Sequence, residues 1–188
     1  SASVKFALGA DKANLSLKAG TKYTYRAYDK GAEIGSDTAT FKTNDFTAKS
    51  FRFVNITDSQ ALGPKNNVDN SNAEGTGVYL NNVYKSLTRT GTPDFVLHTG
   101  DMVHYPKYKN CWTNMIDYNS KYYTSIPTMA ISGNHESESA FAGTEETYNH
   151  FNYNIPEQDV TKGFYYSFIY SDVKFIMLNT GERDGKAL

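Results

Sequence analysis

The chain has 188 residues, 39% of them hydrophobic, and its formal net charge at pH 7 is −1. This length and hydrophobic content suffice for one full core and a small second one, which excludes a largely disordered chain. The near-neutral charge, without a cluster of Lys or Arg, gives no electrostatic reason to expect binding to nucleic acid or an anionic membrane. No apolar run reaches the roughly 18–20 residues that span a bilayer, so no transmembrane helix is predicted. The single cysteine, Cys111, excludes an intrachain disulfide and is predicted to be a small buried hydrophobe.

Residues 1–43 have the alternating apolar and polar pattern of β-strands, with breaks that contain glycine. The strand candidates are SVKFAL, TKYTYRAYD and DTATFKT. Because a complete sandwich has about seven strands, these three predict only part of an antiparallel β-sandwich. The polar stretch NDFTAKS, residues 44–50, is predicted to link this unit to a second domain that covers residues 51–188.

From residue 51 onwards, short apolar strands alternate with stretches that are compatible with helix. The strand candidates are FRFVNIT, DFVLHT and PTMAIS, and the helical candidates are GVYLNNVYKSLTRT and CWTNMIDYNSKYY. The order βαβαβ predicts an α/β fold with a parallel sheet and right-handed crossovers. Further along, GFYYSFIYSDVKFIMLNT predicts two strands joined by a tight turn at Ser171 and Asp172.

Polar side chains follow each of the three predicted parallel strands. They are Asp58 and Gln60 in ITDSQ, Asp101 and His104 in TGDMVHY, and Asn134, His135 and Glu136 in GNHE. Because the carboxyl ends of parallel strands meet at one edge, these groups are expected to converge in one crevice. Each residue taken alone is more simply a cap or a turn residue. A turn needs only one polar residue, however, whereas a pair of metal ions needs several oxygen and nitrogen ligands.

Two glycines are expected to shape this crevice. Gly133 precedes Asn134, and its lack of a side chain permits backbone angles that other residues avoid. Gly100 precedes Asp101 and lets that residue bend inward. Asp101 also follows the middle strand in sequence, which makes it the candidate for a ligand that bridges two metal ions.

The segments ITDSQ, LHTGDMVH and ISGNHES resemble, in order and spacing, the first three motifs of the calcineurin-like metallophosphoesterases. The combination of GD after one strand and GNHE after a later one is specific, although either alone is weak. Residues 1–43 resemble the closing strands of the fibronectin type III-like domain that precedes the catalytic domain in purple acid phosphatases. The resemblance covers nearly the whole chain and implies that residues 51–188 are the N-terminal half of the catalytic domain.

This resemblance implies a role for each candidate residue. Asp58 would bind the first metal ion, Asp101 would bridge both ions, and Asn134 would bind the second. His135 would contact the phosphate or protonate the leaving oxygen, and Glu136 would orient His135 or its neighbours. Oxygen ligands with imidazole suit a pair of Fe, Mn or Zn ions, which can hold a phosphoryl group and activate water. The implied activity is hydrolysis of small phosphate esters, monoesters first, by the parent protein.

Two positions depart from the family pattern. Gln60 stands where purple acid phosphatases have Gly and the wider family has His; a Gln carbonyl oxygen can ligate a cation, but less tightly than imidazole. His104 stands where purple acid phosphatases have the Tyr that ligates Fe(III), and Tyr105 comes one residue too late. Two roles are open for His104: it binds a metal ion directly, or it lies next to the ligands without binding metal. These departures favour two divalent ions and a colourless protein over the purple iron site.

The histidines of the chain are His98, His104, His135 and His150. The family also needs a His after the next strand and a final Gly-His-x-His, so the sequence predicts an interior piece of a longer enzyme. The C-terminal remainder of the catalytic domain would be needed to complete the site. His98, inside a strand, is predicted to be a hydrogen-bonded interior residue. His150 is predicted to be a surface or packing residue, with a substrate-pocket role as the alternative.

Other functions are compatible with the same motifs. A phosphodiesterase or nucleotidase is one, because the motifs place metals and phosphate but not the leaving group. A non-catalytic surface module that retains the fold is another; the missing ligands and Gln60 favour it, and the intact GD and GNHE disfavour it. The sequon at Asn14, with many Tyr, Asn, Thr and Ser residues, favours a secreted or cell-surface protein. A second sequon, at Asn55, lies inside a predicted strand and is more simply accidental.

Overall fold

The computed structural model describes residues 17–61, 81–138, 147, 150–151 and 165–179. The strands are β1 (Lys22–Asp29), β2 (Ala32–Lys42), β3 (Phe53–Ile56), β4 (Phe95–His98), β5 (Thr128–Ala130), β6 (Tyr165–Tyr170) and β7 (Val173–Leu178). The helices are α1, described over residues 81–89, α2 (Lys109–Tyr118), α3 (Ser120–Tyr123) and α4 (Asn134–Glu138). Among the described helices, none has the length and apolar character that crossing a membrane requires. The first predicted strand, SVKFAL, lies outside the described residues.

Strands β1 and β2 form an antiparallel hairpin, as their alternating patterns predict. Their pairing runs from Lys22 opposite Lys42 to Asp29 opposite Ala32, with an irregularity in register between Tyr25 and Ala27. The two turn residues, 30 and 31, both have positive φ, as tight two-residue hairpin turns require. The division of the chain at residues 44–50 into two domains stays a prediction.

Strands β3, β4 and β5 form a parallel sheet in that order, which confirms the predicted α/β fold. Strand β4 is the middle strand, and all four of its residues are buried. The pairing brings Ile56, His98 and Ala130, the last residues of the three strands, into register. The loops that follow the three strands therefore start from one edge of the sheet.

The β6–β7 hairpin and the helices cover opposite faces of this sheet. On one face, Phe95 and Leu97 of β4 pack with Tyr166 of β6 and Met177 of β7. The Tyr166 hydroxyl also donates a hydrogen bond to the carbonyl oxygen of Ala130 at 2.8 Å. The hairpin turns at Ser171 with a φ of 53°, as its sequence predicts.

On the other face, Val96 packs with three apolar side chains from α1, from α3 and from the segment before β5: Tyr84, Tyr122 and Ile126. Helix α2 buries Cys111, Trp112 and Met115 against the loop that follows β4. Cys111 is 1% exposed, which confirms that it is a buried hydrophobe. This packing on both faces leaves the carboxyl edge of the sheet as the place where polar loops gather.

Candidate metal centre

The loops that follow β3 and β4 continue the parallel pairing beyond the strands. Three N–H groups of the first loop donate to three successive carbonyl oxygens of the second: Asp58 to Gly100 at 3.1 Å, Gln60 to Asp101 at 2.8 Å and Ala61 to Met102 at 2.9 Å. Ala61 and Val103 then form an isolated parallel bridge. The backbone of residues 57–61 is thereby held against the backbone of residues 100–103.

Three of the predicted ligand positions have a strained backbone. Asp58, Gln60 and Asp101 have φ values of 54°, 42° and 51°, in the left-handed region. For residues other than glycine this conformation costs about 1–2 kcal/mol each, and such strain concentrates at functional sites. Between the two strained residues of the first loop, Ser59 is buried while Asp58 is exposed. The side chain of Ser59 therefore faces the interior, whereas that of the predicted ligand Asp58 faces solvent.

Two glycines allow the loops after β4 and β5 to touch. A Cβ on Gly100 would lie 2.5 Å from Gly133 Cα, and a Cβ on Gly133 would overlap the Asp101 carboxylate. Gly100 also has a φ of 107°, as its position before Asp101 suggests. Gly133 does not have a positive φ, so the expectation that it adopts angles forbidden to other residues is wrong. Glycine is required at position 133 because any side chain would collide with Asp101, a residue that is distant in sequence.

Glu136 ties these two loops together from the interior. Its side chain is completely buried, and its carboxylate accepts hydrogen bonds from the backbone N–H groups of Asp101 and Gly133 at 2.9 Å and Val103 at 3.1 Å. Burial raises the pKa of Glu136, and the three N–H donors oppose that rise. Glu136 therefore orients the backbone around Asp101. The GNHE segment that carries it is the start of α4 rather than a turn.

The hydrogen bonds of His135 define which ring nitrogen faces the site. Its backbone N–H donates to Asp101 Oδ1 at 2.9 Å, and its ring Nδ1 lies 2.9 Å from the carbonyl oxygen of His104. Because a carbonyl can only accept, Nδ1 carries the hydrogen and Nε2 of the neutral ring has a lone pair. Nε2 lies 3.9 Å from Asp101 Oδ2 and 3.3 Å from the amide nitrogen of Gln60.

His104 and Tyr105 lie next to this imidazole. The ring centroid of His104 is 4.6 Å from that of His135 and 4.3 Å from that of Tyr105, and all three side chains are partly buried. His104 thus contributes its carbonyl oxygen to His135 in addition to any role of its ring. Whether the ring of His104 ligates a metal stays a prediction.

Ser59 is not among the residues predicted for the site, although its place between Asp58 and Gln60 in DSQ was a signal. Ser59 Oγ is 3.0 Å from Nε2 of His98, which confirms that His98 is a hydrogen-bonded interior residue. Burial lowers the pKa of His98 to about 4, and the Asp58 charge opposes this only in part. The His150 ring stacks on Trp112 with centroids 4.6 Å apart, which confirms a packing role for His150.

The donor groups at this edge fit hard divalent cations in their chemistry. They include two carboxylates and two amides, from Asp58, Asp101, Gln60 and Asn134, with imidazole nearby. The bare Cα atoms of Gly100 and Gly133 let the loops after β4 and β5 approach each other closely beside Asp101. Within the described parts of the chain, no group of three or more His, Cys, Asp or Glu residues could hold a metal ion. The described edge therefore carries oxygen and nitrogen donors of suitable chemistry, and their role as metal ligands stays a prediction.

Comparison with known proteins agrees with this architecture. The chain is similar in fold to purple acid phosphatase PPD1 from yellow lupin (Lupinus luteus) seeds, with a TM-score of 0.62 and 21% sequence identity. The match covers 91% of this chain and 32% of the lupin chain, so this chain spans about a third of that protein. No curated protein sequence matches significantly. The family model of the calcineurin-like phosphoesterases matches residues 51–184, and the chain therefore belongs to that family.

Proposed function

We propose that this chain contributes to a two-metal centre that hydrolyses phosphate esters, monoesters first. The observation that carries the proposal is the position of Asp101 at the end of the middle strand, between the loop after β3 and helix α4. Its carbonyl oxygen accepts the N–H of Gln60, and its Oδ1 accepts the N–H of His135. Asp101 would bridge the two ions, Asp58 would hold the first and Asn134 the second, with the carbonyl oxygen of Gln60 as a further donor.

Two divalent ions, when bound, supply a clamp for phosphoryl oxygens and a water of lowered pKa. The residues of this chain donate the proton and hold the ligands in position. His135 keeps Nδ1–H on the carbonyl oxygen of His104, so its Nε2 can take up a proton and deliver it to the leaving oxygen of the ester. Glu136 holds the backbone of Asp101 and Gly133 in place and touches no substrate in this scheme. Family membership supports this division of roles.

The proposal also includes ligands from outside the described residues. The described edge lacks a group of three acidic, His or Cys side chains around one point, and the chain spans only 32% of the lupin enzyme. We expect the remainder of the catalytic domain to complete the ligand set. The substrate is a small phosphate ester rather than nucleic acid, consistent with a net charge of −1. Secretion or display on the cell surface is part of the proposal and is supported by the sequon at Asn14 and by the residue composition.

The test uses the full-length protein, purified with its metals and assayed on p-nitrophenyl phosphate and bis(p-nitrophenyl) phosphate. We expect two bound divalent ions, loss of activity with a chelator, its return with Mn²⁺ or Zn²⁺, and preference for the monoester. Asp101→Ala should lower kcat/KM by more than about 100-fold, because even the loss of a group that only orients a ligand costs about 10–100-fold. Asp117→Ala, which removes an exposed acid on α2, is the matched control and should change nothing.

Two results would contradict the leading assignment. Faster hydrolysis of the diester would identify the phosphodiesterase alternative. Bound metal with no hydrolysis of either ester would identify a non-catalytic module.

A further inference from the structure

His98 and Ser59 form a buried pair that joins the middle strand to both loops of the candidate centre. His98, the last residue of β4, has no exposed surface, and Ser59 is 6% exposed. His98 Nε2 and Ser59 Oγ are 3.0 Å apart. The Ser59 hydroxyl also donates to the carbonyl oxygen of Met102 at 2.9 Å. One side chain in the first loop thus contacts both the strand and the second loop.

The single hydroxyl hydrogen of Ser59 sets the direction of these hydrogen bonds. Because that hydrogen goes to Met102, Ser59 Oγ must accept from His98, so Nε2 of His98 carries the ring hydrogen. His98 Nδ1 then carries no hydrogen and has a lone pair. The described residues provide no hydrogen-bond partner for this nitrogen. The opposite tautomer would bury an unpaired N–H, which is the less favourable arrangement. His98 is therefore a neutral donor to Ser59.

The loop that Ser59 anchors needs such support. Ser59 lies between Asp58 and Gln60, whose φ values of 54° and 42° persist only where the surroundings hold them. Backbone hydrogen bonds to residues 100 and 101 restrain the two strained residues themselves. The buried side chain of Ser59 adds an anchor from the interior, whereas the Asp58 side chain is exposed. The anchor and the predicted ligands thus belong to the same short turn.

We infer that Ser59 and His98 are positioning residues, whose hydrogen-bonded chain to Met102 holds residues 57–61 in the strained form that presents Asp58 and Gln60 at the sheet edge. The effect on the loop depends only on contacts within the protein. The effect on metal binding rests in addition on the proposed function. The two effects are separable in one set of variants.

The first measurement is amide hydrogen exchange in the metal-free full-length protein, which reports the local stability of the loop in the absence of metal. In Ser59→Ala, the amides of Gln60 and Ala61 should exchange about 5- to 10-fold faster, the factor expected from losing one ordinary hydrogen bond. Ser171→Ala is the matched control, because Ser171 is also 6% exposed, has a φ of 53° and donates its hydroxyl to the carbonyl oxygen of Ala48 at 2.6 Å. It should leave those two amides unchanged.

The second measurement is equilibrium Mn²⁺ binding to the full-length protein, followed by electron paramagnetic resonance of the free ion. Ser59→Ala should weaken binding by about 10- to 100-fold, as is usual for groups that orient ligands, and the Ser171→Ala control should bind like wild type. His98→Phe, which removes the donor, should match Ser59→Ala. His98→Gln, whose amide N–H can reach Ser59, should restore most of the affinity.

Unchanged exchange at Gln60 and Ala61 in Ser59→Ala, or equal acceleration throughout the chain, overturns the positioning role. Wild-type Mn²⁺ affinity in Ser59→Ala overturns the link to the metal centre. If the wild-type protein binds neither Mn²⁺ nor Zn²⁺ and carries no iron, the proposed function is wrong, and the exchange data still decide whether Ser59 holds the loop.

Discussion

The loop after β3 and the segment after β5 bring predicted ligands to the same sheet edge, but they are held in different ways. Residues 57–61 form no regular structure and rely on cross-loop backbone bonds, with two left-handed residues among them. The segment from Gly133 leads into a helix, and the buried carboxylate of Glu136 accepts the N–H of Gly133. Asp101 is bonded to both, through its carbonyl oxygen and its Oδ1. Two unlike supports therefore hold the surroundings of one residue, Asp101.

The two supports also differ in charge. The first loop is anchored on His98, whose pKa is lowered to about 4 by burial, so its anchor is neutral at neutral pH. The second depends on a carboxylate that satisfies three backbone N–H groups at once. Substitutions and pH should therefore separate the two supports.

The largest effect on stability is expected at Glu136. Glu136→Gln leaves one oxygen to accept hydrogen bonds and places an NH₂ group against at least one backbone N–H, which should lower the free energy of unfolding by about 3 kcal/mol. Urea denaturation checks this value. The control is Glu33→Gln, since Glu33 forms an exposed 3.3 Å ion pair with Arg26, and the loss of that pair should cost less than about 1 kcal/mol. Equal losses for the two variants would mean that Glu136 does not support the second loop.

A comparable effect is expected from pH, and it tests the anchor of the first loop. The pKa of His98 is about 4 in the folded chain, against an ordinary value of 6.5, so on acidification the unfolded chain takes up this proton first. The contribution of His98 to stability is therefore complete above pH 6.5 and declines by roughly 3 kcal/mol as the pH falls to about 4. Denaturation at several pH values should show this decline in wild type and its absence in His98→Gln. Parallel curves for the two proteins would show that His98 is not the group responsible.

A smaller effect is expected where the two loops after β4 and β5 touch. Gly133→Ala places a methyl group against Asp101 and should cost about 2 kcal/mol or more, as overpacking usually does. Gly31→Ala is the comparison, because a Cβ there meets nothing within 4 Å and only its φ of 88° is unfavourable, which costs about 1 kcal/mol. Thermal denaturation measures both. A Gly133 variant that is no less stable than the Gly31 variant would contradict the close approach.

The smallest effect is expected beside His135. His104→Ala keeps the carbonyl oxygen that accepts from His135 Nδ1, so kcat/KM should fall by less than about 10-fold if the ring is not a ligand. The metal-loaded protein should also be colourless, because we expect His104 to stand where purple acid phosphatases have their iron-binding Tyr. A purple band that disappears in Tyr105→Phe would instead identify Tyr105 as a metal ligand.

The local pattern of residues was sufficient for the elements and for the edge where the site lies. Alternating and continuous apolar runs predicted β1, the β3–β5 strands and the turn at Ser171, because each depends on neighbours in sequence. The polar residues after each parallel strand could also be assigned to the sheet edge, because their place depends on the strand that directly precedes them in sequence. The motif order then predicted the family to which the chain belongs.

The tertiary structure alone decided how these residues are held, because the partners are far apart in sequence. Gly133 is needed for its distance to Asp101, His135 owes its tautomer to the carbonyl oxygen of His104, and Glu136 accepts N–H groups from two loops. The Ser59 anchor likewise exists only because β4 lies beside β3 and brings His98 within 3.0 Å. Periodicity records which side of an element is apolar, but the direction of a hydrogen bond between distant loops is set only when folding brings them together.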